Sequence, residues 1–256
     1  MSQAHGTCIL VGAGPGNPDL LTVQAIRAIQ SATVLLPDDL VSPDILALAS
    51  PTACITPVGK RCGRASTPQE VIEHMIISAV RAGETVVRLK GGDPCVFGRG
   101  GEELDRLRAA GIAVSVVHGI TAGVAAAGAL GTPLTHRHHA HGVVFVTGHA
   151  TSASTGVDWQ ALGQVAHQSK LTLVIYMGVQ AASHIQSQLQ RGMPADTPAA
   201  IVENASLPQQ RHAVCTLATL SATLQQHKLH SPCIIVVGHV LQGLQGLQAL
   251  SPITPP

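Results

Sequence analysis

The chain of 256 residues is 45% apolar and 11% charged, and 15 Lys+Arg against 14 Asp+Glu leave a formal charge of +1. Soluble domains carry roughly 25% charged residues, so this chain has ample material for a core and lacks the signature of disorder. Nucleic-acid binding as a main task is argued against by the near-neutral balance and by an aromatic complement of only Phe97, Phe145, Trp159 and Tyr176.

The length suits one large domain or two modest ones. The six cysteines include no C-x-x-C pair and are expected as reduced thiols in a cytoplasmic protein. No signal peptide is expected from residues 1–7. A long run without Asp, Glu, Lys or Arg, residues 112–136, is interrupted by His118, several glycines and Pro133, which argues against a membrane span.

Taken in order, short β-branched runs alternate with helical stretches and glycine marks many junctions, the pattern of an α/β fold. Strands are predicted over residues 7–11, 33–36, 85–89, 113–117, 143–147, 171–176, 199–203, 212–217 and 233–237. Several are apolar throughout, as expected for strands covered on both faces. The clearest helix is predicted from a Thr67/Glu70 capping box, with Pro68 at its first position and Gly83 past its last turn. Further helices are predicted over residues 101–110 and 180–191. The Ala/Gly-rich stretch 121–131 predicts a helix packed unusually close to its neighbours. The break at Gly131-Thr132-Pro133-Leu134-Thr135-His136-Arg137 places a domain boundary there, giving domains 1–137 and 138–256.

Four motifs carry chemistry. Val11-Gly12-Ala13-Gly14-Pro15-Gly16 follows the first strand, where glycines allow a sharp turn and close approach to a ligand. It departs from a dinucleotide fingerprint because Asn17 takes the third glycine's place and Pro15 removes an amide donor. A ligand-contacting loop, a plain tight turn and a nucleotide phosphate site all remain open for it. Arg88-Leu89-Lys90-Gly91-Gly92-Asp93-Pro94 is again a strand running into a glycine loop, with Asp93 either a ligand acceptor or the maker of its own Asx turn. Glu102 and Glu103 follow in the first turn of a helix, where they complement its dipole. Lys60-Arg61-Cys62-Gly63-Arg64 is a solvated surface run or an anion site. His136-Arg137-His138-His139-Ala140-His141 invites a metal, but no second ligand cluster lies nearby in sequence, so no metal is assigned.

These segments in order resemble the tetrapyrrole (corrin/porphyrin) methylases from Ile9 to about Gly238. The resemblance rests on Val11 to Gly16 with Asn17-Pro18-Asp19-Leu20-Leu21-Thr22; on Asp38-Asp39-Leu40-Val41-Ser42; on Val58-Gly59-Lys60-Arg61; on Val87 to Pro94 with Phe97-Gly98-Arg99-Gly100-Gly101-Glu102-Glu103; and on Gly119-Ile120-Thr121-Ala122, Pro133 to Arg137, Val146 to His149 and Tyr176-Met177-Gly178. The Lys60-Arg61 and Leu134 to Arg137 segments point to members acting on uroporphyrinogen III. Later-acting precorrin methylases and diphthine synthase share the fold.

The resemblance implies two α/β domains, each a sheet flanked by helices, with S-adenosyl-L-methionine in the cleft between them, and a homodimer. It implies cofactor contacts at Pro15, Gly91, Gly92, Asp93, Val96, Thr121, Ala122, Met177 and Ala205. Asp38 takes the place of a proton acceptor and Lys60 that of a proton donor, with Arg61, Arg64, Arg99, Glu102 and Arg137 facing the substrate. The activity implied is C-methylation of uroporphyrinogen III at C2 and C7, giving precorrin-2 via precorrin-1 for sirohaem or cobalamin synthesis. Another precorrin methylase, or a NAD-binding oxidoreductase or nucleotide sensor built on the first glycine loop, is the alternative. Three positions depart from the family's usual residues: Pro37 for tyrosine, Cys95 for phenylalanine and His118 for proline. Nine of the 15 cations fall between Lys60 and Arg108, a concentration compatible with one polycarboxylate-binding pocket.

Overall fold

Strand β1 (Thr7–Gly12) buries Cys8 and Leu10 on one face and Val11 on the other, so it folds only where both faces are covered. A computed structural model describes residues 6–59, 67–149 and 156–244, and supplies that cover with helices. After β1 come α1 (Val23–Ser31), β2 (Val34–Pro37), α2 (Pro43–Leu46), β3 (Cys54–Ile55), α3 (Gln69–Arg81), β4 (Thr85–Lys90), α4 (Gly100–Ala109) and β5 (Val114–Val117). The strands lie in the order β3-β2-β4-β1-β5 and every pairing is parallel, with Thr7 opposite Thr85 and Val11 opposite Val117. Parallel neighbours need crossovers. Ala25, Ala28 and Ile29 of α1 pack on Val11, Leu35, Val87 and Leu89. On the other face, Ile72, Ile76 and Val80 of α3 and Leu107 of α4 pack on Cys8, Leu10, Leu36 and Val86. All carboxyl ends therefore share one edge of the sheet.

The second unit holds α5 (Ala122–Ala129), β6 (Gly142–Thr147), α6 (Trp159–Gln168), β7 (Leu171–Tyr176), α7 (Ala182–Leu189), β8 (Pro198–Glu203), β9 (Arg211–Thr216), α8 (Leu220–Gln226) and β10 (Cys233–Val237). Its sheet runs β6-β7-β10-β8-β9, parallel only between β6 and β7. Trp159 and Ala166 of α6, Ile185 and Leu189 of α7 and Leu220 and Leu224 of α8 cover one face, against Leu173, Ile175, Ile201 and Ile235. The small residues of α5 let it press on the other face. A Cβ at Gly123 would meet the Tyr176 hydroxyl at 2.5 Å, and the Gly123 amide donates to that hydroxyl at 2.9 Å. The close packing expected of residues 121–131 is thus helix-on-sheet contact.

Three expectations change. The compact units divide at Thr121 and Ala122, not after Arg137, because α5 packs on β7 and β10. Helix α3 has no side-chain cap, and its N-cap is Pro68. The extended Pro68 backbone and its carbonyl, which accepts from Val71 and Ile72, set the start and leave Thr67 one residue too early. The exposed edge strand β3 has no apolar run to announce it. Among the described residues no helix is long and apolar enough to cross a membrane.

Burial pushes the Cys8 and Cys233 thiols up to about 12 and that of Cys215 up to about 11, from an ordinary value of 9.0. These folded-state values lie above the unfolded one, so unfolding releases protons once the pH exceeds 9, and the stabilisation falls as pH rises from there toward 12. At pH 8 the buried Cys8 and Cys233 should resist iodoacetamide in the native chain while the exposed Cys54 and Cys95 react. Peptide mass spectrometry reads this directly, and alkylation of Cys8 at the rate of Cys54 would contradict the burial.

Candidate functional site

In open α/β sheets ligands bind beyond the carboxyl ends of the strands, and the first unit gathers its glycine and acidic loops there. The loop after β1 pairs with the loop after β4: the Gly92 amide donates to the Gly14 carbonyl at 2.7 Å and the Gly14 amide to the Gly92 carbonyl at 3.1 Å. Gly14 and Gly92 take φ of 67° and 71°, the left-handed region that costs glycine nothing. The loop after β5 presses on the same place, since a Cβ on Gly119 would collide with the Gly92 carbonyl and the Gly12 backbone.

Asp38 directly follows β2. Its Oδ2 accepts from the Gly91 amide at 3.0 Å and its Oδ1 from the Leu40 amide at 3.0 Å, so this half-buried carboxylate is fixed at the mouth of the Gly91 loop. Each oxygen retains acceptor capacity for a proton or a ligand donor. Asp93 is buried and more fully engaged. Its Oδ1 accepts from the Cys95 amide at 2.7 Å, and its Oδ2 receives the Gly119 amide at 3.1 Å and lies 3.0 Å from His118 Nδ1. It thus makes the Asx turn and also ties the β4 loop to the β5 loop. Pro15 and Val96 are half-buried in the same loops, and Thr121 is buried at the end of the unit. Two of the three family departures, Cys95 and His118, meet at Asp93.

Beneath this edge, Arg88 and Lys90 point to the α3/α4 face of β4. Glu103, fully buried on α4, accepts at its Oε1 from Lys90 Nζ at 2.9 Å, Arg88 Nε at 3.2 Å and Gln69 Nε2 at 2.9 Å. Arg88 Nη1 adds the Leu36 carbonyl at 3.0 Å. Burial, and then the Arg88 charge, hold the Lys90 ammonium below the usual lysine value, while Glu103 and Asp38 oppose the shift. Glu103 is therefore more than a complement to a helix dipole. The signal was present in the sequence: two cations at i and i+2 occupy one face of an apolar central strand, which demands an acid in reach.

The expected substrate-facing residues fare differently. Arg99, in the left-handed region at the N-cap of α4, is paired by both Nε and Nη2 with Glu102 three residues on, both side chains 57% exposed. The Arg99 hydrogen bond holds the Glu102 carboxyl below its usual range. Arg106 pairs with Glu73 at 3.1 Å. Of the nine cations between Lys60 and Arg108, Arg88 and Lys90 thus share Glu103, while Arg99 pairs with Glu102 and Arg106 with Glu73. Lys60, Arg61 and Arg64 lie outside the described residues. Arg137 belongs to the second unit, exposed on a turn closed by the His136 and Ala140 pairing.

In the second unit, Met177 follows β7 with φ of 53° and half its surface exposed, and Ala205 is buried in the turn after β8. Both follow strands that run in the same direction on either side of β10. The Gly148 amide after β6 donates to the Tyr176 carbonyl at 2.7 Å. Beside these ends lies a cavity of about 310 Å³ lined by Gly148, His149, Trp159, Met177, Gln180 and His184 among others. Ala122 begins α5.

Such loop-edge geometry defines an α/β protein built to hold small molecules. The sequence matches the Tetrapyrrole (Corrin/Porphyrin) Methylases over residues 7–221, and the chain belongs to that family. It is 47% identical to a Uroporphyrinogen-III C-methyltransferase of Pseudomonas aeruginosa over 93% of this chain and 96% of the relative. It is 49% identical to Siroheme synthase 2 of Aeromonas salmonicida over 92% of this chain, but spans only 48% of that relative's length. The fold is similar to that of the Thermus thermophilus uroporphyrin-III C-methyl transferase complexed with S-adenyl homocysteine, with a TM-score of 0.79 at 38% identity over 93% of this chain and 100% of the other.

Removing one side of a buried ion group leaves the rest uncompensated, at a cost of about 3–5 kcal/mol. Glu103→Ala should therefore lower unfolding stability by about that amount, read as a shifted urea midpoint. An unchanged midpoint would mean that Arg88 and Lys90 are solvated by other means.

Proposed function

We propose that the chain transfers methyl groups from S-adenosyl-L-methionine to C2 and C7 of uroporphyrinogen III, giving precorrin-2 via precorrin-1 for sirohaem or cobalamin synthesis. The observation that carries this reading is the joining of Asp38 to the Gly91 amide at the carboxyl edge of the first sheet, in a member of a methylase family. The glycine cradle fits a cofactor that approaches backbone. Gly91 and Gly92 are only half-buried, and a Cβ on Gly91 would meet Leu40 Cβ at 2.5 Å, so a side chain there would fill the cradle's wall.

The cofactor supplies a methyl group already activated on a sulfonium. What remains for the protein is positioning and the removal of the proton displaced from the pyrrole system. Asp38, fixed by two backbone amides, takes that proton at a carboxylate oxygen. Lys60 is the proposed proton donor. In the first unit Pro15, Gly91, Gly92, Asp93, Val96 and Thr121 are proposed cofactor contacts, and in the second Ala122, Met177 and Ala205. Arg61, Arg64, Arg99, Glu102 and Arg137 are proposed to face the substrate, the arginines toward its carboxylates. A homodimer at work in the cytoplasm completes the proposal.

Anaerobic incubation of the chain with uroporphyrinogen III and methyl-labelled cofactor should give a doubly labelled macrocycle, and a macrocycle without label would refute the reading. Calorimetry should register S-adenosylhomocysteine, and binding of NAD in its place would point to the oxidoreductase alternative. Asp38→Asn should lower turnover by about 100- to 10,000-fold, the range for loss of a positioned base, with cofactor affinity little changed. Gly91→Leu should abolish cofactor binding. Equal loss of cofactor affinity in both variants would show Asp38 to be misassigned.

A further inference from the structure

We propose that Asp93, Cys95 and His118 form a binding site for one thiophilic divalent cation of the zinc class. One ligand atom from each of the three lies within 4.8 Å of the others, with Asp93 buried and Cys95 and His118 exposed. A thiolate, an imidazole and a carboxylate are the donor types that zinc and cobalt(II) accept, whereas magnesium and calcium favour all-oxygen sets.

The geometry is near that of a closed set. Zinc bonds of about 2.0–2.3 Å at tetrahedral angles place neighbouring ligand atoms roughly 3.3–3.6 Å apart. His118 Nδ1 and Asp93 Oδ2 already stand 3.0 Å apart. Closing the set onto a cation therefore takes a movement of about 1 Å, within reach of two exposed side chains. The buried partner does not need to move. Amides from Cys95 and Gly119 hold its two oxygens, the kind of outer support that fixes a ligating carboxylate in place. Three protein ligands on an open edge leave a fourth position for water.

The site lies in the loops after β4 and β5, so an occupying cation would pin those two loops together and draw on the Asp93 carboxylate. The proposed methyl transfer uses no metal, and this site shares Asp93 with the proposed cofactor contacts but neither of the proposed acid/base groups. No metal ligands were expected from the sequence because Asp93 and Cys95 are far from His118 along the chain and converge only when β4 and β5 flank β1.

The test is a titration of the full, reduced, metal-free chain with cobalt(II) chloride under argon. We expect near-ultraviolet absorption from thiolate-to-cobalt charge transfer, saturating at one equivalent and displaced by zinc. Cys95→Ser should abolish that absorption, and His118→Asn should weaken cobalt binding at least tenfold. Persistence of the absorption in Cys95→Ser would assign the thiolate to Cys54 or Cys62 and overturn the proposal. So would unchanged cobalt affinity in His118→Asn, or cobalt bound without charge transfer and lost on replacing His136 and His139 by Ala. Binding of S-adenosylhomocysteine to the metal-free chain is measured separately, so failure of the cofactor reading and failure of the cation site give different results.

Discussion

The carboxylate of Glu103 governs the first unit. It meets Lys90, the last residue of β4, and itself sits in the first turn of α4. The loop between them carries Gly91, Gly92, Asp93 and Val96, so one buried ionic contact anchors both ends of the segment on which the proposed site depends. With its span fixed, the loop's interior is set by short backbone bonds to the β1 loop and by Asp93 reaching the β5 loop. A buried charged group of this kind is a weak source of net stability but a severe penalty when broken. The bonds of Glu103 to Lys90 and Arg88 of β4 and to Gln69 of α3 tie three elements to one carboxylate oxygen.

The sheet architecture was largely legible in the sequence because its central strands are buried on both faces and read as continuous apolar runs, as in residues 8–11 and 233–237. Two exposed residues, Cys54 and Ile55, form a strand that no such run announces. The start of α3 was misread because Thr67 and Glu70 have the spacing of a capping box, while the backbone of Pro68 actually sets the start. The second-unit membership of α5 was hidden because its Ala and Gly residues have no apolar stripe to show which sheet they cover.

The candidate site was legible by type and less so by arrangement. The glycine loops and Asp38 stand out in one dimension, yet the bond between Asp38 and the Gly91 amide exists only because β2 and β4 are neighbours. The clustering of cations from Lys60 to Arg108 is legible in the sequence, but most of their partners are not. The fold places Glu103 beside Arg88 and Lys90, Glu102 beside Arg99 and Glu73 beside Arg106. The first and last of those pairings join β4 to α4 and α4 to α3, so spacing along the chain does not announce them.

The two sheets also impose different orders of assembly. In the first unit the earliest strand made, β1, lies between β4 and β5, so Thr7 waits for Thr85 before it has a neighbour. In the second, β8 and β9 close over a short connection, with Glu203 opposite Arg211. Long-range parallel pairing forms slowly and local antiparallel pairing quickly. During synthesis the apolar β1 therefore remains unpaired while most of its unit is still being made, which exposes it to aggregation. The half of the chain that leaves the ribosome first carries the sheet that is slower to close.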